Sequence, residues 1–239
     1  MPLVLHCPSG IAGNLWMAAL LGLGADARAL HHLPERLGVP EARIAWNHDP
    51  DRSVSQVEVH GASPTPATNY AGLLARVRGA GLTPAVREHA LRVLADRETA
   101  EARLLGLDLA TRRFADEDVA DTLIDVVGGV LLWHQLGRPP TAVRGAVVAG
   151  RHPRPSSLAL LDGIPAAHTG ADLPLATPTG AALLRSVWEP TVETGPAVRE
   201  IEVPGDFSVQ AGLPPLSAAL HAAPGQAGDA HPAMQHARA

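Results

Sequence analysis

The sequence predicts an α/β or α+β fold, in which a single globular domain of interleaved short strands and helices precedes a disordered C-terminal tail. The chain has 239 residues, of which 46% are hydrophobic and 18% charged, a composition typical of a folded protein with a sizeable core. Between residues 1 and 204, apolar runs with strand character alternate with segments of helical spacing. Residues 205–239 are rich in Ala, Pro, Gly and His without periodicity, which is typical of a disordered tail.

The first half of the domain opens on an apolar run that predicts a buried strand at 2–7. A glycine-containing turn at 8–13 leads into a helix at 14–23, whose apolar residues recur at helical spacing. The elements that follow end at turn-forming residues or at a Gly-Val-Pro stop signal. They are a helix at 25–37, strands at 42–46 and 53–60, and a linker rich in Pro, Ser and Thr at 61–68.

The second half predicts helices separated by short strands. Thr83-Pro84 and Thr177-Pro178 each place an N-cap residue before a proline at the first helical position, which marks two helix starts. The predicted helices are 69–80, 83–107, 116–136, 156–161 and 177–188, and the predicted strands are 141–149, 164–168 and 197–203.

Composition excludes several classes of function. All 19 basic residues are arginine, so a phosphate-binding loop with lysine, a Schiff-base lysine and a Ser-Lys nucleophile are ruled out. The formal net charge of −5, without a basic stripe, argues against nucleic acid as a partner. The single cysteine, Cys7, permits no intramolecular disulfide and fits a reducing cytoplasm. Since no apolar run reaches about 18 residues, we expect no membrane partner.

Two glycine-containing segments predict anion-binding helix starts. Ser9, Gly10 and Gly13 lie where the first strand turns into the first helix, and glycines there allow a ligand to approach the backbone. Thr177, Thr179 and Gly180 open a later helix, whose first amides are suited to a phosphate or carboxylate. An ordinary tight turn and simple structural capping are the competing interpretations.

An acidic helix is the candidate metal site. Asp121 and Asp125 are four residues apart and therefore share one helix face, where two carboxylates can hold a divalent cation. Asp125 lies within an apolar stretch, and a buried carboxylate needs a partner. Asp116 in the first turn and His6 at the end of the first strand are further candidate ligands. The alternative is that the acidic residues only stabilise the helix dipole or face solvent.

Four stretches of the chain resemble the LarC-type nickel-insertion family. They are LHCPSGIAGN at 5–14, the AEAR-containing helix at 92–106, FADEDVADTLIDVVG at 114–128 and LATPTGAALL at 175–184. Their order and approximate spacing agree with the family over residues 3–190. The resemblance implies a LarC-like N-terminal domain at 1–204, with Asp121, Asp125, Asp116 and His6 near the metal. It also implies that the two glycine-containing segments bind the substrate nucleotide.

The chain departs from the family pattern at several positions. His6 and Asn14 stand where the family has acidic residues, and Ala115 replaces a histidine. The histidine-rich linker is reduced to 61–68, and the proline-rich segment is contracted to 151–156. The family's C-terminal domain, which the resemblance implies binds CTP and nickel, is replaced by the short tail. These departures leave metal binding open.

The resemblance implies nickel insertion into a pyridinium bisthiocarboxylate mononucleotide, a CTP-dependent cyclometallase reaction of the lyase class. It implies nickel as the metal, CTP only through a missing or separate C-terminal domain, and an acceptor enzyme or separate partner chain. A degenerate member that acts as a non-catalytic binding or scaffold protein is the alternative. A third possibility is an unrelated enzyme that uses the two helix starts for a phosphorylated substrate.

Overall fold

A six-stranded mixed β-sheet forms the centre of the protein. The computed structural model describes residues 1–60, 68–105 and 116–225. The strands are β1 (Leu3–His6), β2 (Arg43–Asp49), β3 (Val54–His60), β4 (Thr141–Val143), β5 (Val147–Val148), β6 (Ala166–Ala167), β7 (Ala197–Val203) and β8 (Leu216–His221). The sheet order is β2-β3-β7-β8-β1-β4, while β5 and β6 form a separate parallel pair. Within the sheet, β1 and β4 are parallel, and β8 is antiparallel to both of its neighbours.

Helices pack against the sheet around a central apolar helix. They are α1 (Gly13–Gly22), α2 (Leu33–Arg36), α3 (Tyr70–Gly79), α4 (Pro84–Leu105), α5 (Asp116–Gln135), α6 (Pro155–Leu160), α7 (Pro178–Val187) and α8 (Asp206–Ala211), with a 3-10 turn at Ala27–Leu30. Nearly every residue of α1 is buried, because it contacts β3 and β7 of the sheet and also α5 and α7. A helix that is apolar all round is stable only when it is covered in this way.

Two glycines allow α5 to approach α1 closely. A Cβ atom added at Gly128 would lie 2.6 Å from the Met17 sulfur, and one added at Gly129 would lie 2.7 Å from Trp16 Cδ1. The Trp16 indole Nε1 donates a hydrogen bond of 3.2 Å to the Gly129 carbonyl. The small residues therefore fix α5 against α1, which places the acidic first half of α5 beside the start of α1.

The mixed α/β class that the sequence predicts is confirmed. The predicted helix at 25–37 consists of a 3-10 turn and the short helix α2. The predicted strand at 141–149 is two strands, because the chain turns at Gly145 (φ +76°) and β5 leaves the sheet to pair with β6. The predicted linker at 61–68 lies outside the described residues, apart from Thr68.

The predicted disorder from residue 205 onward does not hold for 206–221. Residues of this segment form α8 and the interior strand β8, which lies between β7 and β1. Five of the six β8 residues are buried, so the strand has no alternation of polar and apolar residues to reveal it. Residues 226–239 of the predicted tail lie outside the described residues.

Among the helices that the structure describes, none combines the length and the apolar character needed to cross a lipid bilayer.

Candidate functional site

The two glycine-containing segments lie against each other. The Thr177 amide donates a hydrogen bond of 2.9 Å to the Ile11 carbonyl, and Ile11 and Ala176 form a parallel bridge. Gly180 lies so close to the Ile11 carbonyl that any Cβ would overlap with it. Gly10 (φ +84°) is packed equally tightly against the Leu175 backbone. These contacts bring the starts of α1 and α7 side by side.

The two helix starts are capped differently. At α7, the Thr177 hydroxyl accepts a hydrogen bond of 3.1 Å from the Gly180 amide, so the predicted N-cap is confirmed. At α1, the N-cap is Ala12, and no side chain caps the helix in the part of the chain that the structure describes. Free amides at a helix start carry a partial positive charge. The start of α1 is therefore suited to an anionic group.

Asp125 is a buried carboxylate next to these helix starts. It is only 4% exposed, its carboxylate lies against Gly13, and its Oδ1 has no hydrogen-bond partner among the described residues. Burial raises the pKa of Asp125 well above its usual range, and the charge of Asp121 raises it further, while Arg97 opposes both. The site therefore favours a protonated Asp125 or a cation beside it.

Arg97 connects three helices beneath the same cleft. From α4, its Nη1 donates hydrogen bonds of 2.7 Å to the Thr122 hydroxyl on α5 and 3.1 Å to the Thr179 hydroxyl on α7. Its Nε donates to Glu101 Oε1 at 3.1 Å, and both side chains are about 10% exposed. Burial raises the pKa of Tyr70, while the nearby charge of Arg97 lowers it and that of Glu101 raises it further. A buried ion pair of this kind orders the surrounding helices.

These side chains surround a cleft of about 320 Å³. Its lining residues are Ala12, Asn14, Arg97, Asp121, Thr122, Asp125, Arg154, Pro174, Thr177, Pro178 and Thr179. A smaller cavity of about 190 Å³ shares Ala12 and Asn14 with the cleft and includes Ser9, whose buried hydroxyl has no partner among the described residues. The cleft thus combines two carboxylates, two guanidinium groups and two helix starts within one small volume.

The structure brings most of the predicted site residues together. Thr177, Thr179, Asp121 and Asp125 line the cleft. Gly13 lies against the Asp125 side chain and Gly180 against the Ile11 backbone, next to the cleft, and Ser9 and Gly10 lie in the adjoining loop. Sequence reasoning missed Arg97, Glu101 and Arg154 as site residues. The signal for the first two was an Arg-Glu pair at i, i+4 in a predicted helix.

Two predicted metal ligands are not placed in the cleft. His6 is exposed on β1, on the face opposite the buried Leu5 and Cys7, and it is not among the lining residues. Asp116 begins α5, but its side chain lies outside the described part of the structure. Burial raises the pKa of the Cys7 thiol to about 12, which disfavours a thiolate ligand. Across the described residues, no three His, Cys, Asp or Glu side chains form a metal-binding group.

Comparison with known proteins decides the family. Residues 3–203 match the family model described as nickel insertion protein. The chain belongs to the nickel insertion protein family. Its cleft residues all lie within the matched range.

Curated members of the nickel insertion family are similar to most of this chain. A putative nickel insertion protein of Geotalea daltonii is 28% identical over 199 residues, which is 77% of this chain and 51% of the relative. The pyridinium-3,5-bisthiocarboxylic acid mononucleotide nickel insertion protein of Desulfitobacterium hafniense (strain DSM 10664 / DCB-2) is 28% identical over 192 residues, 75% of this chain and 48% of the relative. A putative nickel insertion protein of Synechococcus sp. (strain JA-3-3Ab) is 30% identical over 234 residues, 86% of this chain and 58% of the relative.

The chain spans about half the length of the curated relatives it matches. No solved structure matches it.

Proposed function

We propose that this chain takes part in nickel insertion into pyridinium-3,5-bisthiocarboxylic acid mononucleotide, and that the cleft between α1, α5 and α7 binds that substrate. The observation that carries the proposal is the convergence of two helix starts, Arg154 and the unsatisfied Asp125 on one cleft, within a chain of this family. Groups of both charges are needed because the two substrates differ in charge. The mononucleotide is anionic, and nickel enters as a cation.

The anionic group of the mononucleotide is accepted at the basic side of the cleft. The uncapped start of α1 offers backbone amides, and Arg154 is an exposed guanidinium on the cleft wall. Arg97 is already held by Glu101, Thr122 and Thr179, so it fixes the shape of the pocket. The positive charge of Arg97 adds to the field that an anion meets.

Nickel is held only briefly at the acidic side of the cleft. Asp121 and Asp125 offer oxygen ligands, whereas nickel prefers nitrogen and sulfur ligands. The thiocarboxylate sulfurs that the relative's name gives to its substrate are therefore better ligands than the two aspartates. Because nickel binds the sulfur atoms more strongly than the carboxylate oxygens, transfer of the ion from the protein to the mononucleotide is favoured.

We assign a CTP-dependent step to the part of the relatives that this chain does not match. The matched residues account for about half of a relative's length, and the proposed partners are a C-terminal domain and the acceptor enzyme. We place the reaction in the cytoplasm, where a protein with a single buried cysteine stays reduced.

A non-catalytic binding protein is the second candidate function. It is favoured by the position of His6 outside the cleft and by the lack of a three-ligand metal group among the described residues. This alternative predicts mononucleotide binding that nickel does not affect.

Calorimetric titration of the full chain with the mononucleotide tests the proposal. We expect Arg154→Gln to weaken binding at least about tenfold, because a charge-assisted contact is lost. Arg151→Gln is the matched control, since Arg151 is also exposed and is not among the cleft-lining residues. Nickel is expected to tighten binding in the wild type and not in Asp125→Asn. Equal affinity of Arg154→Gln and the wild type, or no binding by the wild type, would overturn the proposal.

A further inference from the structure

A second polar cluster lies on α4, α5 and α7, toward the opposite ends of these helices from Arg97, Thr122 and Thr179. His89 on α4 and His134 on α5 approach each other, with His89 Nδ1 and His134 Nε2 3.2 Å apart. The ring of Trp133 contacts both imidazoles at centroid distances of 5.2 and 5.5 Å. Ser186 on α7 completes the cluster, because its hydroxyl lies 3.0 Å from His89 Nε2. At a rise of 1.5 Å per residue, His134 is about 13 Å along α5 from Asp125.

Hydrogen bonds determine which nitrogen of His89 is protonated. The Ser186 hydroxyl donates to the Leu183 carbonyl at 2.7 Å, so its oxygen accepts the proton of His89 Nε2. In the neutral ring the lone pair is then on Nδ1, which faces His134. This arrangement matches that of metal-binding histidines, which donate their second ring N–H to a fixed acceptor.

The spacing of the two nitrogens suits one metal ion. With metal–nitrogen bonds of about 2.1 Å, a separation of 3.2 Å corresponds to an angle of about 100° at the metal. His134 carries its proton on Nδ1 when Nε2 binds the metal, so both rings remain neutral. We propose that His89 and His134 form a binding site for a divalent transition-metal ion such as Ni²⁺ or Zn²⁺, separate from the cleft.

Nearby charges influence the affinity of the two histidines for a metal ion. Arg92 lies close enough to influence both histidines, Arg138 influences His134, and both arginines repel a cation. In the opposite direction, His134 lies in the last turn of α5 and Ser186 in the last turn of α7, where helix carbonyls favour positive charge.

Access and coordination limit what the site can do. His89 is only 3% exposed, but His134 is partly exposed, so an ion can enter from the His134 side. With two protein ligands, the remaining positions are open to water or to a ligand that carries the ion away. A site of this type holds a metal ion transiently, and it is independent of mononucleotide binding in the cleft.

Quenching of tryptophan fluorescence by Ni²⁺ tests the inference, because Trp133 contacts both imidazole rings. The full chain is titrated with Ni²⁺ alone at pH 7.5. We expect saturable quenching in the wild type, with an affinity at least about tenfold weaker in His134→Gln. Arg138→Gln is expected to bind more tightly, since it removes a repelling charge.

Two control variants locate the ion. His48→Gln removes another exposed histidine that stacks on a tryptophan, Trp46, and is expected to leave the affinity unchanged. Asp162→Asn, at an exposed carboxylate that is not among the cleft-lining residues, is also expected to leave it unchanged. Saturable quenching that is equal in His134→Gln and the wild type, or absent from the wild type, would overturn the inference. Loss of quenching in Asp125→Asn alone would place the ion in the cleft, which contradicts this inference and leaves the proposed function standing.

Discussion

Asp125 links the stability of the domain to its proposed chemistry. The carboxyl group is buried against Gly13, and Oδ1 has no partner among the described residues. A protein that kept this residue only for stability would gain by replacing it, because an unpaired buried carboxylate is costly. The cost is explained if a ligand in the cleft supplies the missing partner.

Asp125→Asn is expected to stabilise the ligand-free protein at pH 7. It is also expected to weaken the effect of nickel on mononucleotide binding. The folded-state pKa is raised, so the folded state binds the proton more strongly than the unfolded state, and wild-type stability falls as pH rises above about 4. Asparagine avoids that loss, and we expect the midpoint of thermal unfolding to rise by about 2–4 °C at pH 7. Differential scanning calorimetry at pH 7 and pH 4 checks this. A lower midpoint at pH 7 would contradict it, and exposed Asp162→Asn is the control.

His89 makes the stability of the fold sensitive to acid. Its pKa falls from 6.5 to about 4 on folding, so the unfolded state binds more protons between these values. The contribution of neutral His89 to the free energy of unfolding is fully present above pH 6.5. It is lost as pH falls toward 4, and the total loss is about 3 kcal/mol. Urea unfolding at pH 7 and pH 4.5 is expected to show a smaller pH effect in His89→Gln than in the wild type. If the free energy of unfolding depended equally on pH in His89→Gln and in the wild type, this role of His89 would be contradicted.

Individual site residues differed in how far the sequence revealed them. Asp125 was predictable because a carboxylate within an apolar helix must be buried or bound. His6 was assigned to the metal from its position next to the glycine turn, but strand alternation points it to the face opposite Leu5 and Cys7. Arg97 was missed because its partners Thr122 and Thr179 come from distant segments. Only the fold brings these residues together.

At the scale of elements, the cleft depends on how closely α7 approaches the loop before α1. Gly180 makes this possible, because a Cβ at this position would overlap with the Ile11 carbonyl. The glycine in the TPTG segment is therefore required by packing, whereas the amide that the Thr177 cap uses is present in any residue except proline. The sequence predicted the helix start but not the loop against which it packs.

Gly180→Ala is expected to destabilise the protein by about 1–3 kcal/mol, the usual cost of an inserted methyl group that must displace its surroundings. It is also expected to weaken mononucleotide binding, since the starts of α1 and α7 are forced apart. Gly79→Ala is the matched control, because nothing lies within 4 Å of a Cβ there and alanine favours the helix. Chemical unfolding of both variants checks this. A Gly180→Ala protein as stable as the wild type would contradict the packing argument.

At the scale of the whole molecule, the sheet depends on a strand from the C-terminal part of the chain. β8 joins β7 to β1, so it connects the β2-β3-β7 side of the sheet to the β1-β4 side. The sequence did not reveal this strand, because its Ala-rich residues are buried on both sides of the pleat. Its two pairing partners set its register: β7 is the preceding strand in the chain, whereas β1 is distant in sequence.

Truncation after residue 204 is therefore expected to abolish cooperative unfolding. It removes β8 and leaves the inner edges of β1 and β7 without partners. A chain that ends at residue 225 keeps every described element and serves as the control. Circular dichroism during heating distinguishes the two. A sharp thermal transition in the shorter chain would show that β8 is dispensable.

The cleft is the part of the molecule to which we assign nickel insertion. The most direct test is mass spectrometry of the mononucleotide after incubation with Ni²⁺, CTP, the full chain and the C-terminal half of the Desulfitobacterium hafniense relative. We expect a nickel-containing product with the wild type and the Asp162→Asn control, and a large loss of this product with Asp125→Asn and Arg154→Gln. Product formation that is unaffected by both cleft variants, or no product with a wild-type chain that binds the mononucleotide, would contradict it.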